Sequence, residues 1–394
     1  MRNDSLPHAT LYATSARLGG TGLDSVALES SRILQEEGLL KKVIAYENRQ
    51  DKLPASMVRS LRLHPVRLLS FLESPYYYGA KRQYVDWIAS RELPNGYDFF
   101  HGWSGDCLKS LRVAKERGIP SMIEVPTWHR NKGKIKPNLT ASERKRDAAS
   151  FPTSLLNQCL ISRQRVLEEY DLADLIFVQS EKAVETFLVQ GFDREKIFRY
   201  PRCVDAERFR PATTRPELFR VVFVGALIKR KGVHVLLEAW HRLNLKNAEL
   251  LLVGKTHAEM EPYLEKFRLP SVRLAGFTRS VVDCYQSATL QVYASECEGS
   301  AKATCEAAAC GLAQISTREA GDIVVNELNG LIVPPNDVEA LAAAIQKMYD
   351  APEACLRMGE AARQRVVENF TFAHYRERLL EAYRLAVGRQ KAAR

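Results

Sequence analysis

The sequence predicts an α/β protein made of two domains, each with a parallel sheet flanked by helices. Strand-like apolar runs followed by amphipathic, helix-like runs recur along the whole chain. The length of 394 residues exceeds the roughly 250–300 residues at which a single hydrophobic core stops growing. The composition, 46% hydrophobic and 26% charged, is that of an ordinary globular protein and excludes collagen-like, low-complexity and largely disordered chains.

The first half alternates strands and helices. The predicted strands are Ala9–Thr14, Val43–Tyr46, Asp98–His101, Ser121–Val125 and Leu175–Val178. The predicted helices are Leu23–Glu37, Lys109–Arg117 and Glu181–Gln190. Each helix has apolar residues at three- and four-residue spacing and ends at a glycine, which is the residue that most readily terminates a helix.

The second half repeats this arrangement. Its predicted strands are Arg220–Val224, Glu249–Val253, Val272–Leu274, Leu290–Tyr293, Gln314–Ser316 and Leu331–Val333. Its helices are predicted to begin near Val233, Glu259, Lys302 and Val338, and the chain after Val338 is almost entirely helical.

A break in the pattern marks the join between the halves. Arg208 to Pro216 reads RFRPATTRP, which contains two prolines and little apolar periodicity, so the linker is placed there. The sequence thus predicts an N-terminal domain over 1–210, a C-terminal domain over 217–371 and a terminal helix and tail over 372–394. We expect a cleft between the two domains, with ligand-binding loops at the carboxyl ends of both sheets.

The net charge and the cysteine content narrow the class of protein further. The net charge of +10 favours an anionic ligand, a membrane surface or nucleic acid without choosing among them. Because the sequence contains neither a long apolar run nor a signal-peptide pattern, we expect a cytoplasmic protein. The eight scattered cysteines lack zinc-site spacing and predict reduced, packed thiols without a metal.

The most informative segment runs from Ser295 to Gly311 and reads SECEGSAKATCEAAACG. A strand ends before it and a helix opens near Lys302, so the loop directs backbone N–H groups above the sheet. Gly299 allows a ligand to approach the backbone, and Glu298 and Glu306 could each accept hydroxyl hydrogen bonds. The alternatives are a helix-start charge for Glu298 and an exposed helix residue for Glu306.

Two glycine-containing turns add possible phosphate contacts. Phe223 to Val233 reads FVGALIKRKGV, in which Gly225 ends a buried strand and Lys229, Arg230 and Lys231 precede a helix. Cations at that position suit a diphosphate, with a solvated basic turn as the alternative. In the first half, LGGTGLD, with Gly20 and Gly22, forms a turn whose backbone could line a phosphate or sugar.

Together these segments resemble the family-4 retaining glycosyltransferases. Glu298 and Glu306 match the E-x7-E signature, and FVGALIKRKGVHVLLEAW resembles the G-x-L-x-x-x-KG segment. Similar matches are LLVGK, REAGDIVVNELNGLIVPPND, ARLGGTGLDSVAL and the run from ADLIFVQS to PRCVDAERF. The resemblance covers nearly the full chain and is strongest from Asp174 to Asp337.

The resemblance implies a GT-B fold, in which two doubly wound, Rossmann-like domains face each other across a cleft and the last helix can cross back to the first domain. It implies that Glu306 binds the ribose of a nucleotide and Glu298 the donor sugar, while Lys231, helped by Arg230, neutralises the diphosphate. Backbone at Gly225, Gly20 and Gly22, and the segment Gly299, Ser300, Ala301 and Lys302, would close on sugar and phosphate.

His129, in the segment EVPTWH, resembles the histidine that the family places beside the reacting carbon. The alternative is a partly buried histidine at a strand end. The sequence departs from the family pattern at three places. Ala226 stands where an arginine is common, so Lys229 could share the cationic role. EGSA replaces EGFG, and Cys203 replaces the glycine of P-x-G-V-D.

The implied activity is transfer of a hexosyl group from a UDP- or GDP-sugar to a hydroxyl group. The acceptor hydroxyl would belong to a glycan, a lipid-linked molecule or a small molecule, and the anomeric configuration of the sugar would be retained. The implied setting is surface polysaccharide, exopolysaccharide or lipopolysaccharide biosynthesis. No cofactor is expected, because side-chain cations would replace a metal at the diphosphate and the chain lacks a D-x-D triplet.

Two other functions stay open from sequence alone. An NAD(P)-dependent oxidoreductase would use the near-match GTGLDS at Gly20 with Glu47 as the ribose-binding acid, but the third glycine is missing. A non-catalytic basic protein would bind lipid or nucleic acid, but the basic stretches lack regularly interleaved aromatic residues.

Two basic stretches suggest contact with the inner face of the cell membrane. Arg130–Arg146 carries seven basic residues, and the second cluster contains Arg59, Arg62 and Arg67. Leucines and a phenylalanine lie between the latter arginines: Leu61, Leu63, Leu68, Leu69, Phe71 and Leu72. We expect a peripheral contact with anionic lipid there, interrupted as a helix by Pro65.

Overall fold

The computed structural model describes residues 6–20, 23–61, 65–72, 74–135, 156–214, 216–278 and 280–392. These residues group into two compact units. Unit 1 comprises the described residues of Met1–Val178, Ala183–Tyr200 and Arg376–Arg394, and unit 2 comprises Gln179–Lys182 and those of Pro201–Tyr375. Gly22, Arg62, Leu63 and the basic stretch from Lys136 to Arg146 lie outside the described residues.

Unit 1 is a seven-stranded parallel sheet with the strand order β3-β2-β1-β4-β5-β6-β7. The strands are β1 (Thr10–Leu18), β2 (Leu40–Asn48), β3 (Val58–Ser60), β4 (Phe99–Trp103), β5 (Ser121–Val125), β6 (Leu175–Val178) and β7 (Ile197–Arg199). The helices are α1 (Leu23–Glu36), α2 (Ser74–Glu92), α3 (Leu108–Arg117), α4 (Arg163–Leu172) and α5 (Glu181–Leu188). The described residues of β4, β5 and β6 are all buried, as expected for parallel strands that are covered on both faces.

Unit 2 is a six-stranded parallel sheet with the order β10-β9-β8-β11-β12-β13. The strands are β8 (Phe219–Val224), β9 (Ala248–Val253), β10 (Val272–Gly276), β11 (Leu290–Tyr293), β12 (Ala313–Ser316) and β13 (Gly330–Ile332). The helices are α6 (Val233–Leu243), α7 (Glu261–Lys266), α8 (Val282–Gln286), α9 (Lys302–Ala309), α10 (Val338–Asp350) and α11 (Pro352–Asn369). The two doubly wound sheets confirm the predicted fold class.

The last helix, α12 (Phe372–Ala392), carries the chain back into unit 1. The ring of Tyr383 stacks on Phe99 at 4.2 Å between centroids, and its hydroxyl lies 2.9 Å from His101 Nδ1. Arg376 forms an ion pair with Glu37 at 3.4 Å. These contacts confirm the prediction that the C-terminal helix crosses back to the first domain.

The structure divides the chain earlier than the linker composition suggested. Apart from the short segment Gln179–Lys182, unit 2 begins at Pro201 rather than after Arg210. The Val204 N–H donates to the Phe370 carbonyl at 2.8 Å, and Phe209 belongs to the hydrophobic core of unit 2. The proline-rich stretch therefore lies within unit 2, and residues 201–210 pack with the second sheet.

Some elements were absent from the sequence prediction. β3 and β7 have three residues each, which is too short for an alternating pattern to be recognised. Helix α2 begins with Pro75 at its second position and three consecutive tyrosines, and its apolar residues do not form a single stripe. Among the described helices, none is long and apolar enough to cross a membrane.

The cysteines are free thiols. Cys159 and Cys284 are half-buried and the others are buried. Burial raises the pKa of Cys305 to about 11, and burial raises the pKa of Cys310 to about 12. The two thiols thus stay protonated at neutral pH, in agreement with the expected packing role.

Candidate functional site

The predicted ligand-binding segments meet at the switch point of the unit 2 sheet. β8 pairs with β9 on one side and with β11 on the other, and ligands of doubly wound sheets bind where the strand order reverses in this way. The loop after β8 contains Arg230 and Lys231, and the loop after β11 contains Glu298. Both loops start from the carboxyl ends of adjacent buried strands.

The two loops are packed tightly against each other. Gly232 adopts a φ of 74°, and a Cβ there would lie 2.1 Å from the Ala294 carbonyl oxygen. The Glu296 N–H and the Ser295 hydroxyl both donate to the Arg230 carbonyl, at 2.9 and 3.1 Å. Only glycine fits at position 232, because it tolerates both the left-handed backbone and the close approach.

Glu298 is the centre of a charged cluster. Its Oε1 accepts from Lys231 Nζ at 2.8 Å and from Arg230 Nη1 at 3.0 Å. Arg230 Nη1 also donates to the Cys297 carbonyl. The side chains of Lys231 and Glu298 are largely buried, whereas that of Arg230 is exposed. Two cations around one carboxylate leave a net positive charge at the carboxyl edge of the sheet.

Tyr293, at the end of β11, orients Lys231. The Lys231 ammonium donates to the Tyr293 hydroxyl and lies 5.0 Å from the centre of its ring. That ring stacks on Phe223 of β8, with 5.4 Å between centroids. Burial, followed by the charge of Glu298, raises the pKa of Tyr293 well above its usual value. The neutral tyrosine therefore holds the ammonium beside Glu298.

Glu306 lies on α9, one to two turns from the helix start, and is 8% exposed. The Tyr285 hydroxyl donates to its Oε2 at 3.1 Å, and Lys302 Nζ lies 3.8 Å from its Oε1. Burial raises the pKa of Glu306, although Lys302, the Tyr285 hydrogen bond, Arg202 and Arg208 act in the opposite direction. The carboxylate is thus fixed in orientation within a positively charged surrounding, and it is not the exposed helix residue of the alternative interpretation.

The loop after β12 limits how many backbone N–H groups of the Gly299–Lys302 segment can bind a ligand. The N–H groups of Glu298 and Ala301 already donate to the carbonyls of Glu319 and Ala320, at 2.9 and 2.8 Å. Ser300 and Ala301 are both buried. The backbone of this segment was expected to close on a ligand. The expectation is corrected at Ala301, because its N–H group already forms a hydrogen bond between two loops.

Lys229 lies apart from the charged cluster. Its ammonium lies 4.9 Å from the Tyr263 ring centre, and its backbone N–H donates to Glu259 at 3.2 Å. The suggestion that Lys229 shares the cationic role is not supported by this placement. Gly225, at the end of β8, has a φ of 152° and donates its N–H to the Val253 carbonyl at 2.9 Å.

His129 lies in unit 1 and is 1% exposed. Its Nδ1 accepts from the Asn131 N–H at 3.1 Å, and the ring packs against Tyr170 and Phe187 at 5.0 and 4.8 Å between centroids. Burial, aided by Arg163, lowers the pKa of His129 to about 4. These contacts are those of a packed neutral histidine, the alternative that the sequence left open; a catalytic role stays a prediction.

The glycine-rich turn of unit 1 follows β1. The Gly20 N–H donates to the Arg17 carbonyl at 2.9 Å, and a Cβ on Gly20 would lie 2.4 Å from Asp24 Oδ2. Gly22 lies outside the described residues. Glu47, the ribose-binding acid of the oxidoreductase alternative, forms ion pairs with Arg17 and Arg49, both at 3.0 Å.

Four side chains of the site were not predicted from the sequence. Tyr285 and Tyr293 orient Glu306 and Lys231, and the charges of Arg202 and Arg208 act on Glu306. Arg202 and Arg208 flank the VD of the segment PRCVDAER, which the family resemblance already covered. A basic residue on either side of that motif was the available signal.

The site lies in a part of the chain that matches a known protein family. Residues 219–351 match the family described as Glycosyl transferases group 1. The capsular polysaccharide biosynthesis glycosyltransferase CapM of Staphylococcus aureus is 29% identical over 161 residues, which cover 39% of this chain and 42% of CapM. For the first five curated relatives, the matched stretch spans 42–47% of the relative.

Two solved structures resemble the chain over nearly its full length. Sucrose-phosphate synthase from Thermosynechococcus elongatus has a TM-score of 0.72 at 18% identity, covering 95% of this chain and 98% of that structure. HepE of Anabaena in complex with UDP-glucose has a TM-score of 0.66 at 16% identity, with the same coverage. Residues 219–351 thus form a domain of the glycosyl transferases group 1 type, on a chain that has the GT-B fold.

Proposed function

We propose that the chain is a family-4 retaining glycosyltransferase, of hexosyl type, which transfers a sugar from a UDP- or GDP-sugar to a hydroxyl acceptor. The observation that carries the proposal is the contact of Lys231 and Arg230 with Glu298 at the switch point of unit 2. Glu306 on the helix that follows the same loop supplies a second oriented carboxylate. This arrangement suits a long ligand with a diphosphate at one part and hydroxyl pairs at others.

Each proposed donor contact uses a group whose geometry is already fixed. Glu306, held by Tyr285, would accept hydrogen bonds from the ribose hydroxyls, and Glu298 would accept them from the donor sugar. Lys231 and Arg230 would bind the diphosphate. These cations are paired with Glu298, and we propose that donor binding exchanges that carboxylate for phosphate oxygens.

The proposed reaction needs stabilisation of the leaving group above all. The bond between the anomeric carbon and the phosphate oxygen breaks, and a bond from the acceptor oxygen to the same face of that carbon forms. The acceptor proton passes to the departing phosphate oxygen. Lys231 and Arg230 stabilise the negative charge that develops there, and we propose that the protein's cations fill this role without a divalent metal. No proton transfer in this reaction is routed through His129, whose place beside the reacting carbon stays a prediction of the family resemblance.

The relatives support a setting in polysaccharide biosynthesis. CapM is named as a glycosyltransferase of capsular polysaccharide biosynthesis. The structure of HepE was solved in complex with UDP-glucose. We propose that this chain acts in the cytoplasm on a surface glycan, exopolysaccharide or lipopolysaccharide precursor, lipid-linked or soluble. The same similarity supports uridine as the first base to test.

Donor hydrolysis in the absence of an acceptor tests the proposal and its stereochemistry. We expect the protein to release nucleoside diphosphate from one member of a panel of UDP- and GDP-sugars, measured by ³¹P NMR. We also expect the first sugar anomer seen by ¹H NMR to have the configuration of the donor. Initial formation of the opposite anomer would contradict retention, and the absence of release above a protein-free blank across the panel would contradict the transferase proposal.

We propose further that unit 1 contacts anionic lipid through the segment around the 3-10 helix Pro65–Leu69. Leu68 and Phe71 are 75% and 79% exposed, and Arg67 lies beside them. Leu61 is buried and cannot take part. Apolar side chains beside a cation suit the interface of an anionic membrane.

Vesicle sedimentation checks this contact. We expect binding to phosphatidylglycerol-containing vesicles at low salt, release at high salt, and loss of binding in the double variant Leu68→Ser/Phe71→Ser. Phe277→Ser, which changes another exposed phenylalanine in unit 2, is the matched control and should bind normally. Equal binding by the double variant and the control would refute the proposed lipid contact.

A further inference from the structure

Unit 1 contains a large cavity in which basic side chains are in excess. Its volume is about 950 Å³, at the upper end of the roughly 300–1,000 Å³ of small-molecule sites. It is lined by the start of β7, the turn before β6 and the last turns of α3 and α12. The starts of parallel strands share one edge of a sheet, whereas the ligand-binding loops of a doubly wound sheet follow the carboxyl ends. The cavity is therefore separate from the edge at which Gly20 follows β1.

The charges that line this cavity are unbalanced. Five cations and three carboxylates face it. The cations are Lys115, Arg194, Lys196, Arg384 and Arg389. Among the carboxylates, Asp174 accepts from the N–H and the hydroxyl of Ser121, both at 2.8 Å. Glu195 lies 3.7 Å from Arg389 and its side chain is 89% exposed, so this ion pair is weak. The carboxylates thus neutralise the cations only in part.

The hydrogen bonds that position these cations leave their charge in place. Lys196 Nζ donates to the Asp171 carbonyl at 2.8 Å, and Arg194 Nη1 donates to the Ile197 carbonyl at 2.7 Å. A backbone carbonyl orients a cation but carries no net charge. Arg384 forms no ion pair within the described ranges of the chain. The positive side chains are therefore held around one cavity without an equal number of anions.

The walls between the charged groups are apolar. They include Leu172, Phe198 and Leu385. A cleft that is lined by charges of one sign and has walls of low dielectric constant concentrates the electric field and attracts counter-ions. An anion in this cavity would therefore be bound more strongly than beside the same cations on a flat, solvated surface.

The donor groups favour a phosphate among the possible anions. Three of the five cations are arginines, whose planar set of donors matches phosphate oxygens. A phosphate monoester carries a charge of about −1.5 to −2 at pH 7, which offsets the excess of cations. We propose that this cavity binds the phosphate group of a phosphate monoester, held by Arg384 and Arg389 of α12 and by Arg194 beside β7. The bound anion would tie α12, the helix that returns the chain to unit 1, to the edge of the sheet. This site goes beyond the proposed function and does not depend on it.

Calorimetric titration with glycerol 3-phosphate, and with glycerol as the uncharged probe, tests the assignment. We expect the wild-type protein to bind glycerol 3-phosphate and not glycerol. The double variant Arg384→Gln/Arg389→Gln should bind glycerol 3-phosphate at least about tenfold more weakly, as for loss of a charged hydrogen bond. Arg376→Gln/Lys391→Gln is the matched control, because it removes two charges from the same helix at positions that do not line the cavity. The control should bind like the wild-type protein.

A second arm separates a free phosphate ester from a lipid headgroup. Phosphatidic acid presents the same glycerol phosphate in a bilayer, and its vesicles are sedimented with the Leu68→Ser/Phe71→Ser protein so that the lipid contact proposed above does not contribute. Vesicle binding that is lost on adding Arg384→Gln/Arg389→Gln would identify a lipid headgroup, and binding of free glycerol 3-phosphate alone would identify a water-soluble ester. No binding of either form, or equal binding by the Arg384→Gln/Arg389→Gln variant and the control, would refute the phosphate site. Thermal unfolding establishes that each variant is folded.

Discussion

Replacement of Lys231 by alanine is expected to lower donor turnover by about 10²–10³-fold, the typical cost of removing one group that stabilises developing negative charge. Lys231 lies 2.8 Å from Glu298 and is oriented by Tyr293, and in the proposed function it is the group that binds the leaving phosphate. Its loss also removes a diphosphate contact, and nucleoside diphosphate affinity should fall together with turnover. Initial rates of nucleoside diphosphate release measure the first effect and calorimetry the second.

Lys229→Ala is the matched control for this experiment. It removes the same type of side chain from the same turn, but Lys229 packs over Tyr263 rather than beside Glu298. We expect turnover within about threefold of wild type, as for a surface substitution outside the site. Equal losses in the two lysine variants would mean that the turn contributes only general positive charge.

Glu298→Gln should separate binding from chemistry. Glu298 accepts hydrogen bonds from both Arg230 and Lys231, so removing its charge should release these cations for the diphosphate. Nucleoside diphosphate affinity should therefore be unchanged or higher, while turnover falls because the donor sugar loses a charged hydrogen-bond acceptor. Weaker binding of the nucleoside diphosphate to this variant would contradict the exchange of carboxylate for phosphate.

The sequence predicted those parts of the fold that are encoded in local patterns. β5, β6 and β11 begin and end at the predicted residues, because each is a short buried run between clear turn signals. The loops after β8 and β11 were also recognisable, since a glycine and charged residues follow each strand. Adjacent strands of a doubly wound sheet then bring those loops together.

The detailed chemistry of the site depends on contacts between residues far apart in sequence. Tyr285 and Glu306, 21 residues apart, are joined by a hydrogen bond that neither local sequence indicates. The use of the Ala301 N–H by Ala320 arises in the same way. At His129 the family motif predicts a reactive side chain, and the aromatic packing around its ring could not be read from that motif.

The domain boundary illustrates a further limit of composition. Pro211 and Pro216 drew the boundary to the linker-like stretch, yet Phe209 is buried in the core of unit 2 and Val204 pairs with Phe370. A polar, proline-rich stretch marks surface-exposed chain, which also occurs inside a domain. The same difference places Arg202 in the unit that contains Glu306.

Calorimetric titration of nucleoside diphosphates against the wild-type protein and Glu306→Ala tests the central claim most directly. Glu306 is buried, oriented by Tyr285 and close to Lys302, so its loss should remove two hydrogen bonds to a ribose. We expect UDP or GDP to bind the wild-type protein and to bind Glu306→Ala at least about 10²-fold more weakly, at about 1.5–3 kcal/mol for each charged hydrogen bond.

Glu319→Ala is the control in that titration, because among the described residues it is the backbone carbonyl of Glu319, which the substitution keeps, that accepts from the neighbouring loop. It should bind the nucleotide like the wild-type protein. The result predicted here is thus nucleoside diphosphate binding that depends on Glu306 and not on Glu319. Binding of NAD alone, or nucleoside diphosphate binding that is unchanged in Glu306→Ala, would contradict a nucleotide-sugar site at the switch point of unit 2.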